Sequence, residues 1–393
     1  MRRTNKLAAL LIAPLLALVA AGFLVPVALT LFNAVADRET AETLPRTSAL
    51  LRGWDGAGLP DEAAYAAIAG ELAAAVDDRR IGGLAQRLNF EQTGLRALLL
   101  RTARAYGVLQ APYKQTMITL DPRWGDGELW RLIKRSAGPL TGLYLLRAAD
   151  FSLTPDGAIV ASPEDEAIFR TLFARTLWVS LLVTLICAVT AYPLAYSLAR
   201  LPPRWANIGL ILVLIPFWSS VLVRTTAWFV LLQREGPVNA AIMALRIADH
   251  PLQLVGTRFA VVLAMVHVLL PFAILPLYSV MKRLDPAYER AAASLGAPPL
   301  QRFLRVTLPL TAPGVLAGGF MVFMLAVGFY VTPALLGGPR DQLVASFIAY
   351  FMNQGVNWGM ASALAALLLA MTAAVIGTAR LLAPGFRAAG VKL

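Results

Sequence analysis

Six apolar runs, each long enough to cross a bilayer, divide this chain and put an ordinary soluble fold out of reach. A helix needs about 20 predominantly apolar residues to span the hydrocarbon core. The runs fall at about 7–32, 172–199, 208–232, 259–281, 313–335 and 360–382. Composition agrees, with 58% hydrophobic and 15% charged residues. Soluble domains carry about 45–50% and about 25%. An even number of crossings puts both termini on one side. The expected fold class is an all-α multi-pass membrane protein with six transmembrane helices.

The net charge of +12 would suit nucleic acid, but its distribution does not. Residues 34–170 hold 16 Lys/Arg and 18 Asp/Glu, so the excess lies in the apolar remainder. There the basic residues collect on one side: Arg2, Arg3, Lys6, Arg200, Arg204, Lys282, Arg283, Arg290, Arg302, Arg305, Arg380, Arg387 and Lys392. The short loops opposite hold Arg234, Arg246, Arg258 and Arg340. The bias toward cytoplasmic Lys/Arg then places both termini in the cytoplasm and residues 34–170 outside it. The basic N-terminus and Ala34-Val35-Ala36 imitate a signal peptide, but the run between them far exceeds an h-region of about 7–15 residues, so it reads as a retained first helix. Cys187, the single cysteine, has no intramolecular partner and says nothing about redox compartment.

Three parts follow: 1–33, tail and first helix; 34–170, a mostly helical extracytoplasmic insert; 171–393, a five-helix core. Within the insert, Pro60-Asp61-Glu62 starts a helix with Tyr65, Ile68, Leu72 and Val76 on one face. Leu95, Leu98, Leu99, Thr102 and Tyr106 make a second stripe. Asp126 caps a third helix carrying Leu129, Leu132 and Ile133. Ser162 and Asp165 have capping-box spacing and predict a helix leading into the second span.

The stretch 282–310 is short, partly basic and amphipathic, with apolar runs on both sides. Asp285-Pro286 forms an N-cap and first turn, and Gly296 suits a left-handed helix stop. A second short helix is predicted from Pro299 to before Pro309. Such a knob reads either as a docking element for a soluble partner or as an interfacial hairpin. Its spacing resembles the loop by which permease subunits of bacterial ABC importers engage their ATPase. Ala291, Ala292, Gly296, Val306, Leu308 and Pro309 occupy that pattern. Arg290 stands where the family carries glutamate, and Glu289 comes one residue earlier, rotated by about 100° on a helix. The segment LILVLIPFWSSVLVRTTAWFVLL with Glu235-Gly236-Pro237-Val238-Asn239 resembles the third span and following loop of spermidine/putrescine permeases. HVLLPFAILPLYS, Phe329-Tyr330-Val331-Thr332-Pro333 and Leu336-Gly337-Gly338 resemble their fourth and fifth spans. The likeness covers about 171–383 and leaves the insert unassigned.

Candidate pathway residues are Trp218, Ser219, Ser220, Arg224, Thr225, Phe329, Tyr330 and Thr332. An intramembrane arginine is a functional hypothesis, although Arg224 also reads as snorkelling to the outer interface. The hydroxyls serve equally as helix–helix glue, and the aromatics, with Trp228, as an interfacial belt or ordinary packing. His267 reads as a packed neutral ring. Pro216, Pro271, Pro276 and Pro333 are expected to bend or break their helices.

No G-x-x-x-x-G-K-[ST] loop, nucleophile elbow or metal-ligand cluster occurs, so no catalytic residue, metal or cofactor is expected in this chain. No Asp or Glu falls inside the six runs, unlike many proton- or sodium-coupled carriers. The resemblance implies a type I importer permease in the bacterial plasma membrane. It also implies ATPase subunits holding ATP and Mg, a second homologous permease, an extracytoplasmic substrate-binding protein and no nucleic acid. Polyamine is the implied substrate; other amines, amino acids, opines or phosphonates are alternatives. A secondary carrier and a membrane sensor are the competing classes.

Overall fold

The computed structural model describes residues 12–154 and 157–382, which form two compact units. One holds the residues through Ile168 together with Phe351–Leu367; the other holds Phe169–Tyr350 and the residues from Leu368 onward. The basic residues Arg2, Arg3, Lys6, Arg387 and Lys392 lie outside the described residues, as does the start of the first run. Among the described residues, five helices are long and apolar enough to span a membrane: Ile12–Asn33, Phe169–Arg200, Arg258–Arg283, Pro299–Val327 and Trp358–Ala379. A sixth candidate is the bent pair Pro203–Trp218 and Val221–Ala244.

The first unit owes its core to the apolar stripes of the insert. Tyr65, Ile68, Leu72, Leu95, Leu98, Leu99, Leu129, Leu132 and Ile133 are buried. At its centre the Tyr65 and Trp130 rings lie 4.6 Å apart and those of Trp124 and Trp130 5.5 Å apart. Their polar edges are satisfied internally. Tyr65 donates to the Trp124 carbonyl at 2.7 Å, and Trp130 Nε1 to the same carbonyl at 3.0 Å. Trp124 Nε1 donates to Thr102 Oγ1 at 2.9 Å. Burying such rings with every donor paired combines large apolar area with no desolvation penalty left standing. Val76 and Tyr106, placed on these stripes by spacing, are 42% and 40% exposed because each sits at the fraying end of its helix. Ser162–Asp165 forms a turn rather than a helix start: Glu166 N and Ala167 N both donate to the Pro163 carbonyl. The helix begins only at Phe169. Strands Phe151–Leu153 and Ile159–Ala161 pair antiparallel.

In the second unit Phe169–Arg200, Arg258–Arg283 and Leu308–Val327 pack into a bundle. Small residues allow the approach: Cys187, Ala191, Ala195, Ala264 and Ala273 are buried. A Cβ on Gly318 would come within 2.8 Å of the Ala273 carbonyl oxygen. Close backbone contact of this kind replaces the hydrophobic drive that lipid removes.

Three expectations need correction. Residues 208–232 are not one continuous helix, because the chain bends by 95° between Trp218 and Val221. Pro216 lies in a tight 3-10 turn, Ser219 and Ser220 are extended, and Ser220 Oγ restarts the helix by accepting from Val223 N at 3.2 Å. Pro271 and Pro276, by contrast, sit inside the unbroken helix Arg258–Arg283. The helix beginning at Pro299 does not end before Pro309; it continues through a π-turn at Phe303–Thr307 into the fifth span and stops at Val327.

Candidate functional site: a helical elbow between the fourth and fifth spans

Asp285 Oδ1 accepts from Ala287 N at 2.8 Å and opens the helix Ala287–Ser294. Gly296 closes it at φ +82. Ala297 N reaches back to the Ala292 carbonyl at 3.1 Å and Gly296 N to the Ala293 carbonyl at 2.9 Å. This is a left-handed stop that glycine accepts without strain. Pro298 is extended and Pro299 starts the next helix, so the chain reverses within a few residues.

The elbow has two faces. Outward, Arg290, Ala291 and Gly296 are exposed, and Leu295 is 88% exposed. Tyr288, Leu300 and Leu304 extend that apolar surface, while Val306 and Leu308 are half-buried. Pro309 is exposed on the first turn of the continuing helix. Inward, Glu289 accepts from Arg200 at 2.5 Å and from Thr307 Oγ1 at 2.7 Å. Arg200 lies 3.3 Å above the Tyr196 ring centre, a cation–π contact that fixes the guanidinium. Tyr192, Tyr196 and Phe303 pack together, and Tyr192 bonds Thr311 at 2.9 Å. Burial alone would raise the Glu289 carboxyl. The hydrogen bonds from Arg200 and Thr307, with the Arg200 and Arg302 charges, outweigh it and hold the group below its ordinary value.

Glu289, Arg290, Ala291, Ala292 and Gly296 thus share one short element, with Glu289 and Arg290 pointing to opposite faces. Sequence reading missed Arg200, Thr307, Tyr192 and Tyr196. Arg200 registered only as a topology charge, and nothing in local spacing pairs it with a residue 89 positions away.

The eight pathway candidates behave differently from one another. Thr225 and Thr332 are both fully buried and bond each other at 3.0 Å, tying Val221–Leu232 to Val331–Leu336. Ser219 and Ser220 serve the helix break, Ser219 Oγ donating to the Pro216 carbonyl at 3.0 Å. Trp218 is 91% exposed and Tyr330 47%. Phe329 is half-buried against the bundle core. Arg224 is partly buried, and its Nε has no hydrogen-bond partner. His267 is exposed rather than packed; its Nδ1 accepts from Trp228 Nε1 at 3.1 Å, which requires that nitrogen to be unprotonated.

Comparison with known proteins places residues 176–388 in the family described as binding-protein-dependent transport system inner membrane component. The spermidine/putrescine transport system permease protein PotB of Haemophilus influenzae is 37% identical over 213 residues, covering 53% of this chain and 74% of that protein. PotB of Escherichia coli is 35% identical over 189 residues, 48% of this chain and 69% of its own. The inner membrane ABC transporter permease protein YdcU of Escherichia coli is 32% identical over 217 residues, 50% and 67%.

Proposed function

This chain belongs to the binding-protein-dependent transport system inner membrane component family, and from that premise we propose that it moves polyamines inward, driven by a partner ATPase. It is a multi-pass permease subunit of an ABC importer in the inner membrane. The observation that carries the substrate reading is the 37% identity to a spermidine/putrescine permease across 74% of that protein's length. ATP and Mg belong to the ATPase subunits, a second homologous permease completes the channel, and an extracytoplasmic binding protein delivers the substrate. Both termini are cytoplasmic, following the thirteen-to-four bias of basic residues.

The elbow supplies the mechanical link. Its outer face, with Arg290, Ala291, Leu295 and Gly296 exposed and Ala292 half-buried beside them, docks on the ATPase. Glu289 fastens the same element to Arg200, at the end of the second span, and to Thr307, at the entrance to the fifth. A displacement of the elbow is therefore passed to two spans together. The broken third span and the segment Phe329–Thr332 flank the route, with Trp218, Tyr330 and Arg224 as contact candidates.

The test is ATPase activity of the reconstituted complex, containing ATPase, both permeases and binding protein, against polyamines, amino acids, opines and phosphonates. Stimulation by spermidine or putrescine only with the binding protein present is expected. Stimulation by another compound alone would replace the substrate. Failure of the ATPase to assemble with this chain would remove the docking role of the elbow.

A further inference from the structure

A cavity of about 320 Å³ opens in the first unit where two apolar helices meet the insert. Phe32 and Asn33, the last residues of Ile12–Asn33, line it, as do Trp358 and Gly359, the first residues of the final helix. Both helices are long and apolar enough to cross a bilayer, and a cavity at the end of each falls at headgroup depth if they do so. Phe32 and Trp358 are 44% and 55% exposed there, as expected of interfacial aromatics.

The walls are built to leave space. A Cβ on Gly359 would overlap the Tyr144 ring, and one on Gly83 would overlap the Glu39 carboxylate. Charge at the bottom is already neutralised: Arg87 bonds Asp37 at 2.6 Å and Glu91 at 3.0 Å, and Arg135 pairs with Glu91 as well. Glu42 is paired with Arg80 at 3.3 Å. The adjacent residues Arg38 and Glu39 differ. Neither side chain has a hydrogen bond or ion pair among the described residues; Arg38 only lies over the Phe32 ring, at 5.9 Å. Burial pushes the Glu39 carboxyl up; Arg80 offsets part of this, while Glu42 and Asp37 add to it. A carboxylate in that position is stabilised by an arriving cation. The cavity therefore offers one free anion, one free guanidinium and aromatic faces suited to an ammonium.

We propose that this cavity holds the headgroup of an aminophospholipid from the surrounding bilayer, Arg38 taking the phosphate and Glu39 the primary ammonium. Guanidinium matches phosphate, and a primary ammonium donates hydrogen bonds that a trimethylated one cannot. Both residues line the same cavity without pairing with each other, which leaves each charge to one end of a zwitterionic headgroup.

The full-length protein is mixed in detergent with equimolar phosphatidylethanolamine, phosphatidylcholine and phosphatidylglycerol of identical tails. Native mass spectrometry then reads the lipid retained. The ethanolamine lipid should exceed the choline lipid by about tenfold, the worth of one charge-assisted hydrogen bond. Glu39→Gln should bring that ratio near one, and Gly83→Ala, which displaces the carboxylate, should act in the same direction. Arg38→Gln should lower retention of both lipids. Size exclusion and circular dichroism verify that the variants fold, and the wild-type comparison needs no variant. Equal wild-type retention of ethanolamine and choline lipids overturns the proposal, as does an unchanged ratio in Glu39→Gln. Equally strong retention of phosphatidylglycerol would reduce the site to a phosphate contact. Displacement of the lipid by micromolar free phosphoethanolamine would make the ligand a soluble one.

Discussion

Glu289 accepts from two donors on different helices, and this fixes what its loss should do. In Glu289→Gln the bond from Arg200 loses its anionic acceptor, yet Arg200 is partly exposed and the charge screened. The stability cost at neutral pH is therefore about 1 kcal/mol or less. The folded carboxyl titrates below its ordinary 4.5, so its contribution is present above that value and disappears as pH falls through the lower folded value. Melting temperatures of wild type and Glu289→Gln should differ near pH 7 and converge once the pH is well below 4.5. A larger effect is expected on coupling, because the elbow's ties to both spans lose the carboxylate charge that strengthens them: ATPase stimulation by the binding protein should fall more than basal hydrolysis. The sequence showed the displacement of glutamate by one position but not its consequence. Neighbouring positions on a helix point about 100° apart, and only the fold reveals that position 289 faces Arg200 while position 290 faces solvent. The Thr225–Thr332 bond was likewise half legible. Both residues were singled out, but as channel lining or glue, and their full burial favours glue. Thr225→Val should cost about 1 kcal/mol and be seen in detergent melting rather than in substrate selectivity.

Helices and their interruptions carry the next set of consequences. The elbow turns on Gly296 at φ +82, where any Cβ is strained whatever the surrounding space. Gly296→Ala should cost about 1–2 kcal/mol locally, and Gly296→Val more. The loss should appear as binding-protein-stimulated ATPase falling while membrane insertion persists. The Asp285 cap and the glycine stop were readable because capping chemistry is local. The end of the second short helix was not. Pro309 directly follows the π-turn Phe303–Thr307, whose wider winding accommodates its missing N–H, so it does not stop the chain. The third span was half legible. Its apolar run is continuous and Pro216 announced a bend, but the 95° redirection also takes the extended Ser219 and Ser220, which hydropathy does not register. Ser220→Ala removes the cap that restarts the helix, at about 1 kcal/mol, and hydrogen exchange of the amides at 221–224 should rise selectively.

Across the whole molecule, legibility divides between the family-like residues and the insert. Residues 176–388 carry the family likeness and most of the positive-inside signal, so their class was readable from composition and motif. The insert had only amphipathic stripes. These gave Tyr65, Leu98 and Ile133 as core, but not the Trp124–Trp130–Tyr65 network, since a ring's hydrogen-bond partner 59 or 65 residues away leaves no local trace. Nor did they show that Phe351–Leu367 would join this unit, because the segment is separated from the insert by most of the spans. The network gives the unit its own cooperative centre. Trp130→Ala removes a fully buried indole and should cost about 3–5 kcal/mol. The expected signature is local: in hydrogen exchange of the intact protein, amides of Glu62–Asp77, Leu95–Ala105 and Gly127–Ser136 lose protection together. Those of Arg258–Arg283 and Leu308–Val327 keep theirs. Such a split follows if each unit's stability rests on its own buried cluster. Loss of protection across both sets at once would mean that the two clusters melt as one, and that the insert contributes to the stability of the spans themselves.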